Sequence, residues 1–74
     1  MFLDVETRFG LHGDKEPIAF MLGNNRIEVV EILDRWIGNN HSYFKIQASD
    51  QATYILRFEP LLNRWQLTLF KAQF

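Results

Sequence analysis

The amino-acid sequence predicts an all-β domain, and three observations support this. Apolar and polar residues alternate with a period of two over most of the chain, as in strands that bury one face. Clusters rich in glycine, asparagine and proline interrupt the alternation at intervals that suit hairpins. The 74 residues have room for one domain and include no cysteine. We therefore predict a single domain over residues 1–74, a six-stranded antiparallel meander curled into a small open barrel or a bent sheet.

The first two strands are predicted over residues 1–9 and Ile18–Leu22, where apolar side chains occupy every second position. Residues 10–17 between them contain two glycines and a proline, and are predicted to form a loop. Asn24-Asn25 is the predicted two-residue hairpin turn that follows, because asparagine tolerates positive φ. This turn would place two apolar pairs opposite each other, namely Leu22 with Ile27 and Phe20 with Val29.

Residues 26–37 admit two interpretations. Read as a helix, the segment has apolar residues at helical spacing, an asparagine before it and a glycine after it. Read as a strand, it continues the hairpin, and its several β-branched residues favour extended backbone. We favour a strand that bends between two layers with a bulge near Val29-Val30, because the segment is apolar on both sides. The alternative is an α+β fold with a helix at 26–37.

The last three strands are predicted over Ser42–Ala48, over Thr53–Glu59 and from Arg64 onward. A turn at residues 38–41 precedes the first of them. A three-residue loop within 49–52 would join the first two strands, with left-handed backbone at Gln51 or Ala52. The loop at 60–63 would place four pairs opposite each other: Glu59 with Arg64, Phe58 with Trp65, Leu56 with Leu67, and Tyr54 with Leu69.

The predicted core consists of apolar residues at the alternate positions of these strands whose side chains point inward. Its members are Leu3, Val5, Phe20, Leu22, Val29, Leu33, Phe44, Ile46, Leu56, Phe58, Trp65 and Leu67. A core in this size class rarely contributes more than about 3–5 kcal/mol net. We therefore expect that a partner covers part of the surface, and that this partner is another protein or a second copy of the chain.

Charge is distributed unevenly along the chain. Residues 1–34 carry three basic and seven acidic side chains, whereas residues 35–74 carry five basic and two acidic ones. An isoelectric point near 6.0 disfavours a general nucleic-acid-binding protein. The sequence shows neither an apolar run of membrane-spanning length nor a signal peptide, so we expect a cytoplasmic protein that does not insert into a membrane.

Several segments resemble a family of small uncharacterised bacterial proteins, described as a domain of unknown function. They are Ile32–Trp36, Tyr43–Ile46, Tyr54–Arg57 and Trp65–Leu67. The family pattern reads Val-Val-Glu-x-Leu-Asp-Arg-Trp, Tyr-Phe-Lys-x, Tyr-Ile-Leu-Arg and Trp-x-Leu, and the resemblance covers about residues 16–70. This chain departs from it at Asp50-Gln51, where the pattern has Asp-Gly. The resemblance implies a bacterial origin and brings no established activity.

A basic and aromatic surface is the candidate binding site. It would consist of Arg35, Trp36, Tyr43, Lys45, Arg57 and Arg64. Aromatic side chains interleaved with cations on a sheet can bind single-stranded nucleic acid by base stacking and phosphate neutralisation. The competing interpretation is structural, with Asp34 paired to Arg57 or Lys45 and with Trp36 packed in a core or interface, and we favour it.

The sequence offers little support for catalysis or for a cofactor. His12, Asp14 and Glu16 could hold a cation, but a solvated loop is the favoured interpretation of this spacing. His41 and Ser42 are adjacent, and adjacent strand residues point to opposite faces, so they do not form a nucleophile and its base. We therefore predict a non-catalytic binding or accessory module without metal or cofactor. It would act through protein–protein contacts, either with another protein or with a second copy of the chain in a homodimer. The alternative is an accessory module that binds single-stranded nucleic acid.

Overall fold

The computed structural model describes residues 1–11 and 13–71, with side chains up to Thr68, and it confirms the all-β class. One antiparallel sheet of seven strands is nearly closed into a barrel. The strands are β1 (Phe2–Leu3), β2 (Val5–Phe9), β3 (Lys15–Leu22), β4 (Asn25–Ile37), β5 (Ser42–Ala48), β6 (Thr53–Glu59) and β7 (Arg64–Lys71), with a 3₁₀ turn at Pro60–Leu62. The alternative helix at 26–37 is wrong, because these residues belong to the long strand β4.

Closure of the barrel depends on the N-terminal strand, which splits at Asp4 into β1 and β2. β1 pairs with β7, whereas β2 pairs with β3 at the other end of the strand order. The carbonyl of Met1 accepts a hydrogen bond from the Leu67 N–H at 2.8 Å, and the carbonyl of Asp4 accepts one from the Met21 N–H at 3.0 Å. This split accounts for the difference between the six predicted strands and the seven observed.

β4 is shared between the two parts of the sheet, as predicted for a bent strand. Its residues 25–28 pair with β3, and its residues 29–37 pair with β5. The ladder with β5 skips Val30 and Leu33, so each of these residues is an extra, bulged residue. The bulge near Val29-Val30 is confirmed. The second bulge places Leu33 on the outside, where it is 43% exposed, so its predicted place in the core is wrong.

The β3–β4 hairpin turns one residue earlier than predicted. Leu22 lies opposite Asn25, and Phe20 lies opposite Ile27 rather than Val29. The turn is therefore Gly23-Asn24, and Gly23 adopts a φ of 62°. Glycine takes positive φ without the steric cost that a side chain brings, which favours this position for the turn. The register differs by two residues, so the inward side chains remain inward.

β3 also begins earlier than predicted, at Lys15, and the predicted loop 10–17 is correspondingly too long. The loop is closed at Gly10, whose N–H donates to the Asp14 carbonyl at 2.8 Å. Pro17 lies inside the strand, beside the residue Ile18 that the ladder with β2 skips. A proline has no N–H for a ladder, and a bulge is one of the few places in a strand that accept it.

The β5–β6 hairpin matches the prediction in its strand bounds and in its loop. Ala48 donates its N–H to the Ala52 carbonyl at 3.0 Å, which leaves a three-residue loop, and Gln51 takes left-handed backbone with a φ of 69°. Asp50 stabilises the loop, because its Oδ1 accepts the Ala52 N–H at 3.0 Å and its Oδ2 accepts the Tyr54 hydroxyl at 2.5 Å. Burial, and next the hydrogen bond to Asp50, raise the pKa of Tyr54 above its ordinary value.

The β6–β7 register agrees with three of the four predicted pairs: Glu59 with Arg64, Phe58 with Trp65, and Leu56 with Leu67. The fourth pair is wrong, because Tyr54 lies opposite Phe70 rather than Leu69. The ladder skips Thr68, whose hydroxyl donates to the Ile55 carbonyl at 3.0 Å. This bulge shifts every pair beyond it by one residue.

The core lies between the inward faces of the two parts of the sheet. Of the predicted members, six are buried, namely Leu3, Phe20, Phe44, Ile46, Leu56 and Trp65, and five pack against them, namely Val5, Leu22, Val29, Phe58 and Leu67. The structure adds Ile27, Ala48, Ala52 and Tyr54. The rings of Phe20 on β3 and Tyr54 on β6 join its two halves, with centroids 5.0 Å apart, and the neighbouring rings of Phe58 and Trp65 pack within one half, with centroids 4.8 Å apart.

Candidate functional site

Five side chains form a continuous row on the outside of the barrel, which we call the outer row. From β4 to β1 its members are Trp36, Tyr43, Arg57, Gln66 and Phe2. Each lies directly opposite the next on the neighbouring strand. Their sequence neighbours in β5, β6, β7 and β1 are core residues, and alternation therefore points the row outward. With strands about 4.8 Å apart, the row extends over about 19 Å.

The aromatic members of the outer row differ in exposure and in what they contact. Trp36 is 46% exposed, and Phe2, at the other end, is 59% exposed. The guanidinium carbon of Arg64 lies 4.3 Å from the centroid of the Phe2 ring. The His41 ring contacts Tyr43 edge-on, with the two centroids 5.1 Å apart. Both ends of the row can therefore offer aromatic surface to a ligand.

Two cations on this side of the barrel lack a carboxylate partner. Arg57 is at the centre of the outer row, and Lys45 lies on the same face of β5 as Tyr43, two residues farther along. Among the described residues neither side chain forms a salt bridge. Asp34 lies opposite Lys45, but its Oδ1 accepts the backbone N–H of Arg35 at 2.8 Å. Among the described residues Asp34 forms no salt bridge, so its predicted pairing with Arg57 or Lys45 is not formed.

Most other cations of the described residues are paired. Arg8 contacts Glu16, and Arg26 contacts both Glu6 and Glu28. Arg64 contacts Glu59 at 3.4 Å. The side chain of Arg57 makes one hydrogen bond, a long one of 3.4 Å from Nη1 to Gln66, and its buried Nε has no partner. Lys15, which donates to the side chain of Asn63, also forms no salt bridge among the described residues. Lys45 and Arg57 are therefore the cations without a salt bridge that lie in or beside the outer row.

Arg35 is the one predicted site residue that the structure separates from the others. It lies opposite the core residue Phe44, whose ring centroid is 5.5 Å from the guanidinium carbon. Its Nη1 donates to Asp14 at 2.6 Å, and its Nη2 donates to Glu16. Arg35 and Trp36 are adjacent in a strand, so they cannot share a face. The other five predicted residues lie on the outside of the barrel.

The side chain of Arg35 instead reaches from β4 to β3 across the region where these two strands no longer pair, which we call the seam. The β3–β4 ladder ends at the pair Ala19–Glu28, and beyond it β4 pairs with β5 alone. A cleft of about 610 Å³ lies between the separated strands. The hydrogen bond from Arg35 to Glu16 is the main reason that the pKa of Arg35 is raised. We call Arg35, Asp14 and Glu16 the seam cluster. No spacing in the sequence signals it, because Arg35 lies on β4 whereas Glu16 lies on β3 and Asp14 just before it.

The other candidates for chemistry do not assemble into a site. His12 lies outside the described residues. Asp14 and Glu16 are held by Arg35, and the described residues contain no cluster of three histidine, cysteine, aspartate or glutamate side chains able to hold a metal ion. The imidazole of His41 packs against Tyr43.

A second exposed feature is an apolar line along β4, which we call the β4 stripe. It consists of Val30, Leu33 and Trp36, and Val30 is 67% exposed. The two bulges set its spacing of three residues, because each bulge adds one residue to the outer side of the strand. The same bulges bring Val29, Ile32 and Arg35 to the inner side, also three residues apart.

No protein-family model, curated protein or solved structure matches the chain. The resemblance to a family of small bacterial proteins therefore stays a prediction. Among the described residues, no helix is long and apolar enough to cross a membrane.

Proposed function

We propose that the chain is a non-catalytic binding module that acts through protein–protein contacts, and that its β4 stripe binds a second copy of the chain. The observation that carries this proposal is the exposure of Val30, Leu33 and Trp36 along one strand. Full burial of a side chain such as valine or leucine contributes about 1.5–3 kcal/mol. Contact between two stripes would remove this apolar surface from water in both copies.

The contact is expected to use the face of β4 rather than its free edge. Along residues 29–37 the edge toward β3 is unpaired, but the strand carries two bulges, and Arg35 crosses to β3. On the other side of the seam, Pro17 offers no N–H. Bulges, prolines and charges are the features that protect sheet edges against the addition of a further strand. Side-chain packing of the stripe is therefore the favoured mode.

The size of the core supports the need for a partner. Among the described residues the core cluster has ten buried side chains, and two of them are alanines. A domain of this size gains only about 3–5 kcal/mol net from its core. Burial of the β4 stripe in a dimer would add stability that depends on protein concentration.

Light scattering coupled to size-exclusion chromatography tests this proposal over a series of chain concentrations. We expect the wild type to become a dimer in the micromolar range and Val30→Glu to remain a monomer, because the new charge would be buried against apolar surface. Asn40→Glu, which adds the same charge at an exposed turn residue, should dimerise like the wild type. A wild type that stays monomeric at high micromolar concentration, or a dimer that Val30→Glu leaves intact, contradicts the proposal.

A further inference from the structure

We infer that the outer row, with Lys45 beside it, binds single-stranded nucleic acid. This second binding surface does not rest on the proposed self-association. The cations that carry the inference, Lys45 and Arg57, lie on β5 and β6, outside the β4 stripe. Trp36 alone belongs to both surfaces.

The first step of the argument is electrostatic. Tyr43 lies opposite Arg57, and Lys45 lies opposite Ile55, so Lys45 and Arg57 are diagonal neighbours on two paired strands. Diagonal neighbours on one face of a sheet are about 7–8 Å apart. Asp34 lies opposite Lys45 on β4, but no carboxylate lies between Lys45 and Arg57, and two cations this close together attract an anion. The ligand is therefore expected to carry more than one negative charge.

The second step concerns the aromatic side chains. Trp36 and Tyr43 lie directly opposite each other, and Arg57 follows Tyr43 in the outer row. Nucleobases stack on aromatic side chains of this kind, while the cations beside them neutralise phosphates. An acidic protein segment would use the cations but would offer no bases to stack. The combination therefore favours a nucleic acid over an acidic protein.

The third step distinguishes single strands from duplexes. A base can stack on Trp36 or Tyr43 only when it is free of its partner strand, because bases in a duplex are stacked on one another. The chain as a whole carries a formal net charge of −1, which disfavours broad contact with the dense charge of a duplex. A short single-stranded segment that follows the outer row satisfies both conditions.

The experiment measures fluorescence anisotropy of labelled single-stranded oligonucleotides at a series of salt concentrations. We expect binding that weakens as salt rises. Arg57→Gln should reduce the slope of log K against log salt by about 0.7 and weaken binding roughly tenfold at low salt, because one phosphate contact is lost. Lys45→Gln, at an exposed position, should act in the same direction. Arg8→Gln, which removes an arginine on β2, is the matched control and should bind like the wild type.

A second measurement follows tryptophan emission. Trp65 is buried, so quenching on addition of oligonucleotide would report on the exposed Trp36. Trp36→Phe should lose most of the quenching, and Trp36→Ala should bind roughly 5- to 150-fold more weakly, as expected for one stacked base. Thermal unfolding of each variant identifies those that fail to fold.

Several outcomes would overturn the inference. They are anisotropy that stays flat at low salt, equal weakening by Arg57→Gln and Arg8→Gln, and equally tight binding of a duplex. Binding of polyglutamate as tight as that of an oligonucleotide of equal charge would identify an acidic protein segment as the ligand instead. Val30→Glu separates this surface from the β4 stripe, because it should abolish self-association and leave oligonucleotide binding in place.

Discussion

Gln51 has left-handed backbone at the third position of the β5–β6 loop, where glycine is the usual residue. For a residue with a Cβ, this conformation costs about 1–2 kcal/mol. The loop retains it because its backbone is fixed from both sides. The Gln51 N–H donates to the Ala48 carbonyl at 3.0 Å, and Asp50 accepts both the Ala52 N–H and the Tyr54 hydroxyl. These hydrogen bonds therefore offset the cost of the left-handed backbone at Gln51, and they anchor the loop to the buried Tyr54.

The first prediction follows from this strain. Gln51→Gly should raise the free energy of unfolding by about 0.5–1 kcal/mol, which is the strain relieved less the added backbone entropy of glycine in the unfolded chain. Urea denaturation measures the change. Gln51→Ala removes the same side chain but keeps the strain, and should leave the stability close to that of the wild type. Equal stabilities of the two variants would contradict this explanation.

The limits of sequence-based prediction are also visible in single residues. Left-handed backbone at Gln51 or Ala52 could be predicted, because facing the inward side chains of β5 and β6 toward each other requires a three-residue loop, and the structure places it at Gln51. The position of Arg35 could have been predicted by applying the alternation of side chains strictly, since Trp36 beside it must face the other way. The partners of Arg35 could not, because Asp14 and Glu16 reach it across the seam and follow no spacing along the chain.

Among the elements, β4 departs furthest from a regular strand. Its exposed apolar side chains Val30, Leu33 and Trp36 are three residues apart because Val30 and Leu33 are bulged. A spacing of three also occurs on one face of a helix, which explains why the segment resembled a helix in sequence. The bounds of β5 and β6, where alternation is unbroken, were predicted to the residue. Pro17 is a local signal for the bulge at Ile18, because a bulge is one of the few places in a strand that accept proline. The bulge at Thr68 has no such signal, and the register beyond it could not be predicted.

The second prediction concerns the ion pairs that close the seam beside β4. Arg35→Gln should lower the free energy of unfolding by about 1–2 kcal/mol, because it leaves the part-buried Glu16 and Asp14 without their main cation. Arg26 also bridges two carboxylates, but its partners Glu6 and Glu28 are exposed. Arg26→Gln should therefore cost less, since water and salt screen exposed pairs.

Urea denaturation of both variants measures this difference, and repeating it at high salt adds a control. The loss in Arg26→Gln should shrink at high salt, whereas the loss in Arg35→Gln should largely persist. Equal losses in the two variants would show that the seam cluster behaves as an ordinary surface network. Arg35→Lys should not restore stability, because one ammonium cannot donate to two separate carboxylates with the geometry of a guanidinium.

At the scale of the whole molecule, the N-terminal segment joins the two ends of the sheet and so nearly closes the barrel. The short strand β1 attaches to β7 while β2 attaches to β3, so a few residues on either side of Asp4 join the two ends of the sheet. Leu3 is buried in the core at this junction, opposite Trp65. Two backbone hydrogen bonds, one from Leu67 and one from Met21, fix the junction on its two sides.

The third prediction tests this closure. Leu3→Ala should lower the free energy of unfolding by about 2–4 kcal/mol, because it leaves a cavity beside Trp65 at the junction. Hydrogen exchange of the Leu67 and Met21 amides should accelerate together in this variant, since both donate to the N-terminal segment. Phe2→Ala, at an exposed position of the same strand, is the matched control and should change stability little. Acceleration at only one of the two amides would contradict a shared closure.

The attachment of β1 to β7 also has a consequence for how fast the native state is reached. Residues 2–3 pair with residues 65–66, so the ring cannot be completed until nearly the whole chain has been gathered. Contacts between such distant positions are costly in loop entropy, and small β proteins dominated by them fold in milliseconds to seconds. Until β1 pairs with β7, the inner surface of β7 is exposed to water. Aggregation with other unfolded chains is therefore expected mainly during this interval.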